Sequence, residues 1–124
     1  MQYRRSERVG DQIQREISRM LYEDLKDPRI GMVTISRVIV SRDLSVARVY
    51  YTVYGGEEER NASRAGLEHA AGHIRTVLGR QLRIRTVPEL RFVFDRSLDH
   101  VERIEALLKE IKASSPPVAV DDGV

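Results

Sequence analysis

Apolar residues recur along the start of the chain with the period of an α-helix. The spacing of about 3.6 residues is kept by Val9, Ile13, Ile17, Met20, Leu21 and Leu25. Ser6 is placed to cap the N-terminus of this helix. We expect the helix to end at Asp27, because the residue before a proline is driven out of the helical region.

Two β-strands joined by a turn are predicted next. Val33–Val40 is rich in β-branched residues, and in Ala47–Tyr54 apolar residues alternate with polar or aromatic ones. The apolar phase of the first strand slips between Ile35 and Val38, which indicates either a β-bulge or burial on both faces. The pattern therefore predicts a hairpin with a longer loop, in which one strand has an irregular register.

A second helix is predicted from about Asn61 to Leu82, after an acidic start at Glu57-Glu58-Glu59. Gly72 lies in the middle of this helix, where glycine costs about 1 kcal/mol relative to alanine. We therefore expect either a kink or a close backbone approach at Gly72.

A third strand and a last helix complete the pattern. The strand opens at Pro88 and alternates apolar with polar residues, and the helix begins at Ser97, its predicted N-cap. One face of this helix collects Leu98, Val101, Ile104, Leu107, Leu108 and Ile111. The order of the six elements predicts an α+β fold, with a layer of helices on a three-stranded sheet.

The chain of 124 residues fits one domain. We assign that domain to residues 1–112. Residues 113–124 hold two prolines and two acids without periodicity, and we predict that they form a disordered tail.

Composition favours a cytoplasmic protein without a membrane partner. The chain has no cysteine, which excludes disulfides and thiolate metal sites. Its apolar runs are far shorter than the roughly 20 residues that cross a bilayer. The N-terminal MQYRRSERVG also lacks the apolar stretch of a signal peptide.

Charge is divided unevenly along the chain, although the net charge is only +2. Residues 1–86 carry 16 basic and 11 acidic side chains, whereas residues 87–124 carry 5 and 8. Of the 21 basic residues 18 are arginine, whose forked guanidinium suits phosphates, although the composition of a GC-rich genome would explain the same skew. The basic excess therefore lies in the first two helices and the strands between them.

The stretch between Glu68 and Glu89 contains no acids. Its basic side chains and a stripe opposite the apolar face of the first helix make a candidate phosphate-binding surface. We predict that RNA is bound by Arg8, Arg15, Arg19, His73, Arg75, Arg80, Arg83 and Arg85. A bend at Gly72 would add the unpaired N–H groups of a new helix start. The alternative is a solvated helix face with an incidental glycine.

Nothing in the sequence indicates catalysis. His69 and His73 are spaced to share a metal, but no carboxylate lies between them and no third ligand is evident. Ser97, Asp99 and His100 have the spacing of a helix start. We expect no catalytic residue, no metal, no cofactor and no small-molecule substrate.

Two long blocks, LKDPRIGMVTISRVIVSRDLSVARVYYTV and AAGHIRTVLGRQLRIRTVPELRFVFDRSL, resemble the bacterial ribosome-binding factor A family. The resemblance covers roughly residues 4 to 112. It implies a type II KH-like fold, in which a helix-kink-helix at an Ala-x-Gly element replaces the usual GxxG loop. That element corresponds here to Ala70, Ala71 and Gly72.

The resemblance also implies a function. Such a factor binds the free immature 30S ribosomal subunit and 16S rRNA, assists 5′-end processing of that rRNA and late subunit maturation, and acts in cold adaptation. We expect a monomer when free. The tail of this chain is short and acidic, so any function of a long basic C-terminal extension does not carry over.

Two alternatives stay open. One is a general KH-like RNA-binding protein that acts on messenger or small RNA. The other is a protein-binding adaptor that uses Tyr50 and Tyr54 on the Arg48 face of the second strand. The same face could stack RNA bases, although helices could equally cover it.

Overall fold

Three helices and three strands follow one another in the predicted order. The computed structural model describes the backbone of residues 2–114 and the side chains of residues 5–97 and 104–112. The elements are α1 (Gln2–Glu23), β1 (Val33–Val40), β2 (Val46–Val53), α2 (Glu57–Leu82), β3 (Glu89–Phe94) and α3 (Ser97–Ser114). The predicted α+β class is confirmed.

The three strands form one mixed sheet in the order β1-β2-β3. β1 and β2 are antiparallel, as in a hairpin, and β2 and β3 are parallel. A parallel neighbour requires a crossover connection, and α2 provides it. β2 is therefore the central strand, with its backbone paired on both sides.

A β-bulge explains the irregular pattern of β1. Ile35 pairs with Tyr51 and Arg37 with Tyr50, which leaves Ser36 without a partner in the register. After this bulge Val38 pairs with Val49, so apolar residues on both sides of Ser36 face the same way. The structure therefore decides for the bulge and against burial on both faces.

The core lies between one face of the sheet and the helices α1 and α2. The buried side chains of β2 are Ala47, Val49, Tyr51 and Val53, and those of the helices include Ile13, Ile17, Leu67, Ile74 and Leu78. Gly10 lets α1 approach β1 closely, because a Cβ atom there would lie 2.9 Å from the carbonyl oxygen of Val38. The alternating residues of β2, such as Arg48, point to the opposite face.

Two helix starts differ from the predictions. α1 already includes Gln2, so Ser6 is buried inside the helix and is not its cap. α2 begins at Glu57, four residues before the predicted start. Carboxylates in the first turn are favourable for the helix dipole, and the Glu59 side chain accepts a hydrogen bond of 2.7 Å from the N–H of Gly56.

α2 runs without a break through Ala70-Ala71-Gly72. Hence no second helix begins at this element, and the expected extra N–H groups are not formed. The alternative of a close backbone approach is wrong, since a Cβ atom on Gly72 would meet nothing within 4 Å. Burial of Ile74 and Leu78 outweighs the cost of one glycine. The Thr76 hydroxyl donates to the Gly72 carbonyl at 3.1 Å, a bond typical of bent helices.

α3 differs most from the sequence analysis. Its described apolar side chains are between 46% and 59% exposed, so they do not pack on the sheet: Ile104, Leu107, Leu108 and Ile111. Leu98 and Val101 lie outside the described side chains. Ser97 is the first residue of the helix rather than the predicted cap before it, and its N–H and hydroxyl both donate to Asp95. The helix reaches Ser114, and the rest of the predicted tail, 115–124, lies outside the described residues.

Candidate nucleic-acid interface

α1 and α2 pack against each other. The loop that follows α1 touches the first half of α2, since the N–H of Gly31 donates to the Ser63 hydroxyl at 3.2 Å. Ile30 of the same loop lies against Gly66. The C-terminal end of α1 therefore leads into a loop that packs on the first half of α2.

One side of α2 carries His69, His73, Arg80 and Arg83, spaced along the helix by its period. The beginning of this side, at His69, lies near the loop after α1. The pKa of Asp27 in that loop is lowered to about 2, mainly by hydrogen bonds from Arg29, and the charge of His69 contributes to the same effect. His73, Arg80 and Arg83 are exposed.

Five exposed arginines lie on α1, at the end of α2 and in the loop after it, and we call them the helix-side arginines: Arg8, Arg15, Arg80, Arg83 and Arg85. Arg8 and Arg15 project from the side of α1 opposite the buried Ile13 and Ile17. Among the residues that the structure describes, none of the five has an ion-pair partner. Their charges are available to an anion.

Arg19 is separated from this set by its local partners. Its guanidinium lies 3.3 Å from Glu16, 3.2 Å from Asp24 and 3.6 Å from Glu23. Three carboxylates compensate the charge of one guanidinium, so Arg19 attracts a phosphate less than Arg8 and Arg15 do.

Arg75 forms hydrogen bonds to the backbone that leads into β3. It lies on the side of α2 towards β3, where its guanidinium donates to the carbonyl oxygens of Val87 at 3.0 Å and Pro88 at 3.3 Å. These bonds hold the segment that enters β3. Arg75 is therefore a structural residue first, although its side chain is exposed.

Arg80 and Arg83 lie at the C-terminal end of α2. Arg83 ends the helix in the left-handed region, with φ 54° and ψ 38°. Basic side chains at this end are favoured by the helix dipole, typically by about 0.3–1 kcal/mol. The two arginines thus stabilise the helix end and still present their charge to the solvent.

The structure also shows that the Arg48 face of the sheet, which the sequence analysis left undecided between open and covered, is basic. The face of the sheet opposite α1 and α2 carries Arg37, Arg48 and Arg91. The guanidinium of Arg37 lies over the Tyr50 ring, 4.1 Å from its centroid. The alternation in β2 and β3 could place these residues on one face, but only the packing of the helices shows which face stays open.

The described part of the chain offers little support for a metal site, a catalytic serine or a membrane-spanning helix. No three side chains of His, Asp or Glu come together there as a possible metal site. The Ser97 hydroxyl is engaged by Asp95, and the side chains of Asp99 and His100 lie outside the described residues. No helix among the described residues has both the length and the apolar character needed to cross a membrane.

Comparison with known proteins gives one consistent family. Residues 5–108 match the family model described as ribosome-binding factor A. The ribosome-binding factor A of Citrifermentans bemidjiense is 48% identical over 120 residues, which cover 97% of this chain and 96% of that protein.

Solved structures agree with this match. The crystal structure of ribosome-binding factor A from Thermus thermophilus is similar with a TM-score of 0.66 and 27% identity, covering 74% of this chain and 97% of that one. A homology model of the Thermus thermophilus factor, fitted into the cryo-EM map of its complex with the 30S subunit, gives a TM-score of 0.61 and 32% identity, covering 73% and 96%.

Proposed function

Because the chain belongs to the ribosome-binding factor A family, we propose that it is an assembly factor that binds the free immature 30S ribosomal subunit. The complex of the Thermus thermophilus factor with the 30S subunit supports this assignment. The contact with the subunit is supported by the helix-side arginines. They are exposed and have no acidic partner among the described residues.

The partner on the subunit is 16S rRNA. Phosphates are recognised by guanidinium groups without regard to sequence, and such contacts fix the position of a protein on RNA. The helix-side arginines would bind phosphates in this way, and the exposed His73 lies on the same side of α2. Arg19 and Arg75 would contribute less, because carboxylates and backbone carbonyls already occupy them.

The action we propose is noncatalytic. Binding as a monomer in the cytoplasm, the factor would hold the rRNA in a form that assists 5′-end processing and late maturation, with a role in cold adaptation. The family resemblance supports these finer steps, and no cofactor or metal is needed for them. Cleavage of the rRNA would be left to other enzymes.

Fractionation of a cell lysate on a sucrose gradient tests the assignment. We expect the protein to sediment with free 30S subunits and to leave that fraction after RNase treatment. Sedimentation with soluble RNA would contradict the ribosomal assignment in favour of a general RNA-binding protein. A complex that survives RNase would instead indicate a protein-binding adaptor.

A further inference from the structure

The face of the sheet turned away from α1 and α2 presents an arginine from each strand. Arg37 of β1, Arg48 of β2 and Arg91 of β3 are all exposed, and we call them the sheet-face arginines. Ile39, beside Arg48 in the register, is 40% exposed. In the described part of the chain no helix covers this face.

Two of these arginines lie directly opposite each other. Arg48 and Arg91 are partners in the parallel register of β2 and β3. Like charges at such positions destabilise a sheet, because the side chains are held a few ångströms apart. Arg91 has a carboxylate partner, with 3.1 Å between its Nε and Oε2 of Glu89, whereas Arg48 has none among the described residues. Glu89 offsets part of this repulsion, and an anion bound between the two guanidinium groups would offset the rest.

The third arginine provides a flat surface. The guanidinium of Arg37 lies over the half-buried Tyr50 ring, 4.1 Å from its centroid. The ring is therefore covered, and a ligand would stack on the outer side of the guanidinium instead. Guanidinium planes stack on RNA bases, and Ile39 adds apolar contact area beside them.

The acidic groups at this face are either buried or paired. Asp95 is buried and accepts hydrogen bonds of 2.6 Å from the hydroxyls of Ser36 and Ser97. Glu89 is paired with Arg91. The exposed charge of the face is thus positive.

We propose that this open face binds a segment of single-stranded RNA, with phosphates on Arg48 and Arg91 and a base stacked on Arg37. The inference rests on the proposed function only in taking RNA as the ligand. The helix-side arginines lie on the other side of the sheet, so the protein would hold two RNA segments at once, one on each side.

Titration of a fluorescein-labelled oligouridine, followed by fluorescence anisotropy, tests this proposal. The wild-type protein is compared with a triple variant that carries Arg37→Gln, Arg48→Gln and Arg91→Gln. Its affinity should fall about tenfold or more, since both stacking and phosphate contacts are lost. The slope of log K against log salt should decrease by about 1.4, because the two phosphate contacts of Arg48 and Arg91 each contribute about 0.7 on a single strand.

A matched control carries the same change of charge at exposed lysines outside both surfaces: Lys26→Gln, Lys109→Gln and Lys112→Gln. Its affinity should stay within about twofold of the wild type, because only distant charges change. Equal loss in both variants, unchanged binding by the sheet-face variant, or no binding by the wild-type protein would overturn the proposal.

Two further measurements distinguish loss of the RNA site from a folding defect and from an error in the ribosomal assignment. If thermal unfolding shows that the triple variant is not folded, replacement of the same arginines by lysine keeps the charge and should preserve the salt slope while weakening the affinity. If the wild-type protein binds oligouridine through this face but fails to sediment with 30S subunits, the ribosomal assignment is wrong and the RNA site stands.

Discussion

Two glycines inside helices occupy opposite environments. A Cβ atom on Gly10 would lie 2.9 Å from the carbonyl oxygen of Val38, a backbone atom that cannot move aside. A Cβ atom on Gly72 would meet nothing within 4 Å. Gly10 is therefore required by the packing of α1 on β1, whereas no packing within the described chain requires Gly72.

Replacement by alanine should have opposite effects at the two positions. Gly10→Ala should lower the free energy of unfolding by about 1–3 kcal/mol through overpacking. Gly72→Ala should raise it by about 1 kcal/mol, because alanine is the better helix former. Urea denaturation of both variants measures the two changes. Destabilisation by Gly72→Ala would show that the backbone at this position is not helical in solution.

The arginines show which parts of a site can be read from a sequence. Helical spacing correctly places Arg8 and Arg15 on an exposed side, and it also places Glu16 and Glu23 within reach of Arg19. No local pattern, however, predicts that Arg75 bonds to carbonyls twelve and thirteen residues away. The role of that side chain depends on where β3 enters the sheet, which is a tertiary property.

At the scale of elements, Asp95 joins three parts of the fold. Its carboxylate follows β3, accepts a hydrogen bond of 2.6 Å from Ser36 in the bulge of β1, and accepts two from Ser97 at the start of α3. The Ser36 bond, followed by those from Ser97, lowers the pKa of Asp95 to about 2. The charged carboxylate thus stabilises the folded state.

Stability should therefore depend on pH through Asp95. Because its pKa is lower in the folded state than the ordinary value of about 3.9, the contribution is complete above about pH 4 and disappears as the pH falls through about 2. Asp95→Asn should flatten the curve of unfolding free energy against pH in this range. Chemical denaturation at several pH values measures both curves, and parallel curves would contradict the assignment.

The elements themselves could be predicted from periodicity, but their ends and their packing could not. The pattern of β1 was compatible with a bulge or with burial on both faces, and the register with β2 shows that it is a bulge. α3 has a regular apolar face, yet its described apolar side chains stay exposed. Periodicity shows which side of a helix is apolar, whereas what covers that side depends on the rest of the molecule.

At the scale of the whole molecule, the net charge of +2 conceals two separate basic surfaces. The helix-side arginines lie on the layer formed by α1 and α2, and the sheet-face arginines lie on the opposite side of the sheet. Acids outnumber bases by 8 to 5 in residues 87–124, and the first turn of α2 is also acidic. A protein with this distribution can contact RNA from two sides.

The central claim is that the helix-side arginines hold ribosomal RNA. Co-sedimentation of purified 30S subunits with a triple variant, Arg8→Glu, Arg15→Glu and Arg80→Glu, tests it most directly. Arg75 is left intact, because it supports the entry to β3. The control replaces Lys26, Lys109 and Lys112 by glutamate. We expect the arginine variant to stay folded, with a slightly lower unfolding temperature because Arg80 supports the end of α2, and to be lost from the subunit fraction, while the lysine variant stays bound. Co-sedimentation of the arginine variant at the wild-type level, at low and at high salt, would contradict the account.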